Sequence, residues 1–267
     1  MKISQKAISE PPKISIIAPS LNQGNFIEKS ILSVLSQNYP NLEYIVIDGG
    51  SSDNTINILN KYKNKINWIS EKDNGQSHAI NKGLDLATGD IISYLNVDDI
   101  LLPSALYKVA QIFSQYPEAT WLVGQCRFVD SSGAEIRKAI TYYKNLLLRI
   151  RGLFLLLITN YISQPATFCR KEVISRFGHF DETLHYVMDY EYWLRIYGKT
   201  PPFFLKEYLA AFTIHHTSKT TSTGHKSKYI EEERKIIARH ARSKIALMLH
   251  DTHRAFMSSI YALLNRA

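Results

Sequence analysis

The sequence predicts an α/β protein: a mostly parallel sheet flanked by helices, followed by a helical C-terminal extension. Two observations carry this. Over the first hundred residues, short β-branched runs alternate with longer segments of helical spacing, the pattern of parallel strands joined by crossover helices. The chain, at 267 residues and 45% hydrophobic content, is also long enough to bury a sizeable core.

Taken in order, strands are expected at Ile14 to Ala18, Tyr44 to Ile47, Ile66 to Ser70 and Ile91 to Leu95. Helices fall between and after them at Asn25 to Ser36, Thr55 to Tyr62, Gln76 to Ala87 and Ser104 to Tyr116. The third helix is marked by apolar residues at Ala79, Ile80, Leu84 and Leu86, with Gly89 as its stop. Trp121 to Phe128 reads as a strand, and SQPATFCRKEVISRFGHFDE as a turn, a strand and a short helix closed by Gly178. Residues Tyr190 to Tyr197 have helical spacing, and Phe203 to Ile214 reads as a hydrophobic hairpin or strand pair. From Lys228 onward the chain is basic and helical, with no Gly or Pro to break it.

The segment Tyr142 to Ser163 stands apart. Its apolar core, Leu153 to Ile158, is far short of the roughly 20 residues that span a bilayer. Lys144, Arg149 and Arg151, with Tyr142, Tyr143 and Tyr161, suit an interfacial membrane helix. A core helix or an oligomer contact fits the same pattern.

Composition narrows the partners. Cys126 and Cys169 lie far apart in ordinary surroundings, which argues against a disulfide framework and for small buried hydrophobes in a reducing compartment. The opening MKISQKAISEPPKIS is polar, not a signal peptide, so a cytoplasmic location is expected. A formal charge of +8 points to nucleic acid, anionic lipid or a phosphorylated substrate. Nucleic acid ranks last, because the charge is not organised with aromatics into a binding module.

In a doubly wound sheet, ligands bind beyond the carboxyl ends of the strands. Those ends here read Pro19-Ser20-Leu21-Asn22, Asp48-Gly49-Gly50-Ser51-Ser52-Asp53, Glu71-Lys72-Asp73-Asn74-Gly75 and Asn96-Val97-Asp98-Asp99. Ser51 and Asp53 are expected to cap the helix that follows them. Adjacent carboxylates at Asp98 and Asp99 repel and resist desolvation, so they need open water or a cation. A hard divalent cation accepts carboxylate oxygens and substrate phosphate oxygens together, which would let the pair hold a metal–diphosphate complex.

KISIIAPSLNQGNFIEKSILSVLSQNYPNLEYIVIDGGSSDNT, EKDNGQSHAINKGLDLATGDIISYLNVDD and QPATFCRKEVISRFGHFDETLHYVMDYEYWLRI, in this order, resemble family 2 glycosyltransferases with the Rossmann-like GT-A fold, from about Ile14 to Lys219. The resemblance implies a catalytic domain over 1–225, its nucleotide-binding part over about 12–100 and its acceptor part over about 101–225, with 226–267 as a basic helical extension. Pro19, Ser20 and Asn22 then line the nucleotide pocket, Asp48 contacts the nucleoside, and Asp73, Asn81 and Lys82 lie near the base and diphosphate. Asn96 stands where the family has the first acid of its D-x-D motif, Asp98 matches the metal-binding acid, and Asp99 is counted with the donor site. Gly49 stands where many members carry an acid that reads uracil. His215, in preference to His216, is placed near the diphosphate and the metal, Mn2+ or Mg2+.

On the acceptor side, HYVMDYEYWLR has Met188-Asp189 where the family has Glu-Asp, and the resemblance makes Asp189 the catalytic base. A helix N-terminal carboxylate is the plain alternative for Asp189, with Glu191 then the rival base. Sugar transfer with inversion needs such a carboxylate to take the acceptor proton, and a cation to meet the departing diphosphate. Lys219, Arg170 and Lys171 are candidate phosphate neutralisers or ordinary solvated cations. The implied donor is a nucleoside-diphosphate sugar, UDP-sugar first. The implied acceptor is a saccharide or lipid-linked saccharide of surface polysaccharide assembly, with the enzyme docked on an anionic membrane face by Tyr142 to Ser163 and by Lys226, Lys228, Arg234, Lys235, Arg239 and Arg242. Two other classes stay open: a nucleotide-sugar binding protein with degenerate catalysis, suggested by Gly49, Asn96 and Met188, and a nucleotidyltransferase. The latter usually carries a Gly-rich phosphate loop, which APSLNQGNF lacks.

Overall fold

A computed structural model describes residues 10–215, 226–241 and 243–264; His216, Lys219 and Arg242 lie outside them. Four parallel strands form one half of the sheet in the order β3 (Asn67–Ser70), β2 (Leu42–Asp48), β1 (Ile14–Ser20), β4 (Ile91–Tyr94). The helices α1 (Ile27–Leu35), α2 (Thr55–Lys61) and α3 (Gln76–Leu86) connect them. Side chains alternate along these strands. Ile17, Ile45 and Ile47 join the core beneath α3, whereas Ile14, Ile16, Ala18 and Val46 join the core that also takes Ile27, Ile31 and Val34 of α1. That i, i+4, i+7 spacing is what seats α1 on the sheet.

Gly89 does not stop α3. The helix ends at Leu86 with Ala87 already extended, and Gly89 serves close packing against β1. A Cβ there would lie 2.5 Å from Ser15 Oγ and 2.8 Å from Ser15 N.

The sheet continues past β4 through β8 (Thr167–Arg170), β6 (Trp121–Val129), β9 (Phe203–Thr213) and β5 (Ile100–Leu101), with β7 (Glu135–Ile136) paired to β6. Here β8 joins β4 and β6 antiparallel, β9 runs parallel to β6, and β5 runs antiparallel to β9. The helix α4 (Ala105–Gln115) precedes β6. The expected hairpin at Phe203 to Ile214 is instead one eleven-residue strand. Register shifts near Gln125 of β6 absorb its irregularity, and the polar Glu207 meets Lys108 at 2.9 Å instead of turning the chain. After β8 comes α7 (Lys171–Phe177), ended by Gly178 at φ +78. Both cysteines are buried and free.

Tyr142 to Ser163 divides into α5 (Lys138–Ile150) and α6 (Leu153–Ile158), broken by Arg151 and Gly152 at positive φ. No helix among the described residues is long and apolar enough to cross a membrane. The helix α8 (Met188–Tyr197) lies beside α6, and the C-terminal residues form α9 (Lys226–His240) and α10 (Lys244–Leu264). Where the lack of Gly or Pro implied one continuous helix, Ser243 starts a second, its Oγ accepting the Ile245 N–H at 3.2 Å.

The extension is packed onto the rest of the protein: Ile236 and Ile237 are fully buried in the α8 core. Several of its cations are also spoken for, since Arg234 meets Asp251, Lys235 meets Glu231 and Arg239 meets Asp181. These ion pairs leave Arg234, Lys235 and Arg239 more than half exposed on the surface.

Candidate active site

A cleft of about 350 Å³ opens at the carboxyl ends of β1 and β4, within the range of small-molecule sites. Pro19 and Ser20 reach it from the end of β1, Asp73 from the β3–α3 loop, Asn96 and Asp98 from beyond β4, His215 from just after β9, and Asp189 from the start of α8. These seven candidates, spread over nearly two hundred residues, share one cavity.

Five others, Asn22, Asp48, Asn81, Lys82 and Asp99, do not line it. Asn22, at φ +54, instead ties two loops together: its Oδ1 accepts the Ser52 N–H at 2.9 Å and its own N–H donates to Ser51 Oγ at 2.7 Å. Asp48 is fully buried and accepts from the N–H groups of Gly50 and Ser51 and the hydroxyls of Ser51 and Ser70. It shapes the loop after β2. Asp53 caps the start of α2 through the Thr55 N–H and bridges to the Gly24 N–H. Asn81 is buried and grips the backbone of Phe180, donating to its carbonyl and accepting its N–H, both at 3.0 Å. Lys82 forms an ion pair with Glu71 at 2.6 Å. Arg170 and Lys171 donate to main-chain carbonyls of Ala119, Phe113 and Ala87, so their expected role at phosphate gives way to a structural one.

Asp73 explains the glycine at position 49. A Cβ on Gly49 would lie 2.6 Å from Asp73 Oδ2, so the carboxylate from the neighbouring loop takes the space that a side chain at 49 would need. The Gly75 N–H donates to Asp73 Oδ1 at 2.8 Å and holds it there.

The adjacent carboxylates part company. Asp98 faces the cleft, where its Oδ2 lies 3.0 Å from His215 Nε2. The His215 ring stacks on Phe26 with centroids 4.1 Å apart. Asp99 is fully buried, accepts the Thr213 N–H at 2.9 Å and pins the turn after β4 to β9. Burial, with the Asp98 charge beside it, pushes the Asp99 carboxyl well above the usual carboxylate range. Its expected place in the donor site therefore becomes a structural one.

Asp98 and His215 are two cleft side chains, 3.0 Å apart, that could hold a cation. Among the described residues no group of three or more His, Cys, Asp or Glu could hold a metal ion. One carboxylate and one imidazole suit a cation whose remaining ligands come from substrate phosphate and water.

Asp189 sits in the first turn of α8 and accepts the Tyr190 N–H at 2.7 Å. Burial raises its carboxyl above the usual range, while the Tyr190 N–H, the Lys144 charge and the Asn160 side chain pull the other way. A base with a raised pKa is the better proton acceptor near neutral pH. Glu191, the rival, points into the protein and pairs with Arg195 at 2.6 Å and His240 at 3.4 Å, which hold its carboxyl low. Met188 lines the cleft and its sulfur accepts from Ser77 Oγ at 2.7 Å.

Sequence reasoning missed several wall residues. Gln23, Gln76 and Gln164 line the cleft, and Gln76 donates to Asn96 Oδ1 at 2.6 Å. Ser20 Oγ, Gln23 Oε1 and Gln164 Oε1 are buried there without a partner, a polarity that suits a hydroxylated ligand. From α9, Tyr229 closes one side of the cleft, and the Glu232 carboxylate accepts the N–H groups of His185 and Tyr186 at 3.1 and 2.8 Å. The helix read as an appendage thus holds the loop that leads into Asp189. Glutamates within YIEEE carried no signal of this, because their partners lie more than 45 residues away.

The comparisons with known proteins agree on the family. The sequence model described as glycosyl transferase family 2 matches residues 15–178. A protein of Rickettsia prowazekii named an uncharacterized glycosyltransferase is 30% identical over 216 residues, covering 79% of this chain and 67% of that protein. The GalNAc(5)-diNAcBac-PP-undecaprenol beta-1,3-glucosyltransferase of Campylobacter jejuni is 36% identical over 105 residues, 38% of this chain and 34% of that one. The chain spans only 34% of a Rickettsia felis relative's length. Among solved structures, S. aureus TarS 1–349 in complex with UDP-GlcNAc superposes with a TM-score of 0.66 at 20% identity, over 85% of this chain and 66% of that one. The mannosyltransferase PcManGT of Pyrobaculum calidifontis, in complex with GDP-Man and Mn2+, gives 0.67 at 16% identity, over 95% and 76%. At such identities these likenesses speak to the fold, the GT-A type.

Proposed function

Because the chain belongs to glycosyl transferase family 2 and so uses a nucleotide sugar, we propose that its cleft transfers the sugar with inversion to a hydroxyl of a saccharide acceptor, lipid-linked and presented at an anionic membrane face. The observation that carries this reading is that Asp98 with His215 and the carboxylate of Asp189 line one cleft. The Asp98–His215 pair suits a departing diphosphate and the Asp189 carboxylate an acceptor hydroxyl.

In the reaction, Asp189 accepts the proton of the acceptor hydroxyl as its oxygen bonds to the anomeric carbon from the face opposite the nucleotide. The bond from that carbon to the diphosphate oxygen breaks, and the electron pair leaves with the diphosphate. Asp98 and His215 would hold Mn2+ or Mg2+ against the diphosphate; a bound cation supplies positive charge as the leaving group departs. Asp73 and Pro19 are assigned to the nucleoside, and Ser20 and Asn96 to the diphosphate and sugar. UDP-GlcNAc on one neighbour and GDP-Man on another keep the nucleotide question open to measurement, with a UDP-sugar first. The undecaprenol-linked substrate named for the Campylobacter relative supports a lipid-linked acceptor.

The test is thermal unfolding with UDP, GDP, dTDP and CDP, each with and without Mn2+. A nucleotide at 100 times its dissociation constant adds about 2.7 kcal/mol to the folded state. The expected result is stabilisation by one nucleotide, increased by Mn2+ and lost in Asp98→Ala. No stabilisation of the folded protein by any of them would overturn the reading.

A further inference from the structure

Large apolar side chains are exposed unevenly on this protein. Of twelve that are exposed among the described residues, seven lie on α5, α6 and α10. On α5 they are Tyr142, Leu146 and Ile150, exposed by 70%, 39% and 62%. Their i, i+4, i+8 spacing sets them in one stripe along the helix. Phe154 of α6, 56% exposed, follows it. On α10, Ile245, Met248 and Phe256 are each exposed by more than 60% and fall within a quarter turn of one another at 100° per residue.

The three helices are neighbours. The α10 helix packs on α6, and Tyr143 of α5 meets His253 of α10 at 2.7 Å. Their exposed stripes therefore lie on neighbouring helices. The inner faces of the same helices are satisfied: Leu147, Leu148, Leu156 and Ala246 are buried.

Charge on this side has one dominant sign. From residue 138 to residue 163 the chain has no acid; Lys144 faces inward toward Asp189, and Lys138, Arg149 and Arg151 are exposed beside the stripe. Lys244 is exposed at the start of α10. An apolar stripe with basic flanks, on helices too short to span, is the chemistry of a surface that lies in a lipid headgroup layer. A contact between two copies through α5 and α6 would bring these cations against one another, since those helices offer no acid, and Asp251 of α10 is already paired with Arg234.

We infer that the outer faces of α5, α6 and α10 form a docking surface for an anionic lipid bilayer. The surface lies close to the reaction site, since α6 leads within a few residues to Asn160, which bonds Asp189. Docking would hold the acceptor end of the cleft near the membrane. This deepens the lipid-linked acceptor reading and rests on it for its purpose, but vesicle binding is read with no donor or acceptor present.

The test is co-sedimentation of the full chain with vesicles of phosphatidylglycerol and phosphatidylethanolamine, or of phosphatidylcholine alone, at physiological ionic strength. The expected result is binding to the anionic vesicles at least about tenfold stronger than to the neutral ones. The exposed double variant Ile150→Ser/Phe154→Ser should lose about tenfold or more in partitioning, with unchanged melting temperature and unchanged nucleotide-induced stabilisation. Arg149→Gln/Arg151→Gln should erase most of the anionic preference. Wild-type protein left in the supernatant with both vesicles would overturn the inference, as would full binding by the serine variant. A wild-type dimer that the serine variant turns into a monomer would also overturn it, by showing a second copy on the stripe. Failure of nucleotide stabilisation with vesicle binding intact would instead count against the transferase reading alone.

Discussion

Asn81→Leu separates what the family resemblance assigns to this residue from what the structure does with it. The resemblance places Asn81 near the base and diphosphate. In the structure it is 5% exposed and holds both backbone groups of Phe180, itself 5% exposed, while its amide also reaches Glu182 Oε1 at 2.8 Å. Leucine has similar bulk and no polar atoms, so the Phe180 N–H and carbonyl would be left buried without partners. Each such group costs about 1–3 kcal/mol, or roughly 2–5 kcal/mol for the two with some relaxation. In a chain of this size about 1 kcal/mol moves the midpoint by roughly 2–4 °C, so a fall of roughly 5–15 °C is expected. The assay is calorimetry of wild type and variant, with nucleotide affinity measured by titration well below both midpoints. Affinity should stay within about threefold, because Asn81 does not line the cleft. An unchanged midpoint with a large loss of nucleotide affinity would refute the structural assignment and restore the ligand role.

Three further outcomes follow from the same geometry. Gly49→Ala sets a methyl 2.6 Å from Asp73 Oδ2; nucleotide affinity by titration should fall by about tenfold, and adding Asp73→Ala should cost little more, since the two changes act on one contact. Glu232→Ala frees the loop before Asp189, so KM for the acceptor should rise by about tenfold in steady-state kinetics while nucleotide affinity holds; the reverse pattern would refute the assignment. Asp189→Asn should stabilise the fold at pH 7.5. Because burial raises the folded carboxyl above its unfolded value, its favourable contribution is complete below the ordinary carboxylate pKa and is lost as pH rises through the folded value. Asparagine has no charge to desolvate, so the variant's advantage in melting temperature should appear at neutral pH and vanish toward about pH 4.

Much of the fold was legible because its signals are local. The β-branched runs of β1, β2 and β4 and the apolar spacing of α1 and α3 each announce an element without reference to distant parts, and the polar residues after each strand mark where a ligand would sit. The adjacent acids at 98 and 99 were equally visible as a pair. Which of them would be buried was not, because that depends on Thr213 of β9 arriving 114 residues later. Asn81 and Lys82 look alike in a motif, yet one is consumed by Phe180 and the other by Glu71. The break before α10 rests on one serine cap in a segment with no Gly or Pro. Tyr229 and Glu232 reach the site only through the packing of Ile236 and Ile237, a tertiary fact that no spacing encodes.

The central claim is that Asp189 takes the acceptor proton in a cleft that binds the donor independently of it. The direct measurement is single-turnover transfer of labelled sugar by wild type and Asp189→Asn, to an acceptor the wild type uses, with donor affinity titrated in parallel. Removing a general base costs about 10²–10⁴ in rate, so the account predicts a fall of that size with the donor dissociation constant within about threefold. Transfer at the wild-type rate by the asparagine variant would contradict it.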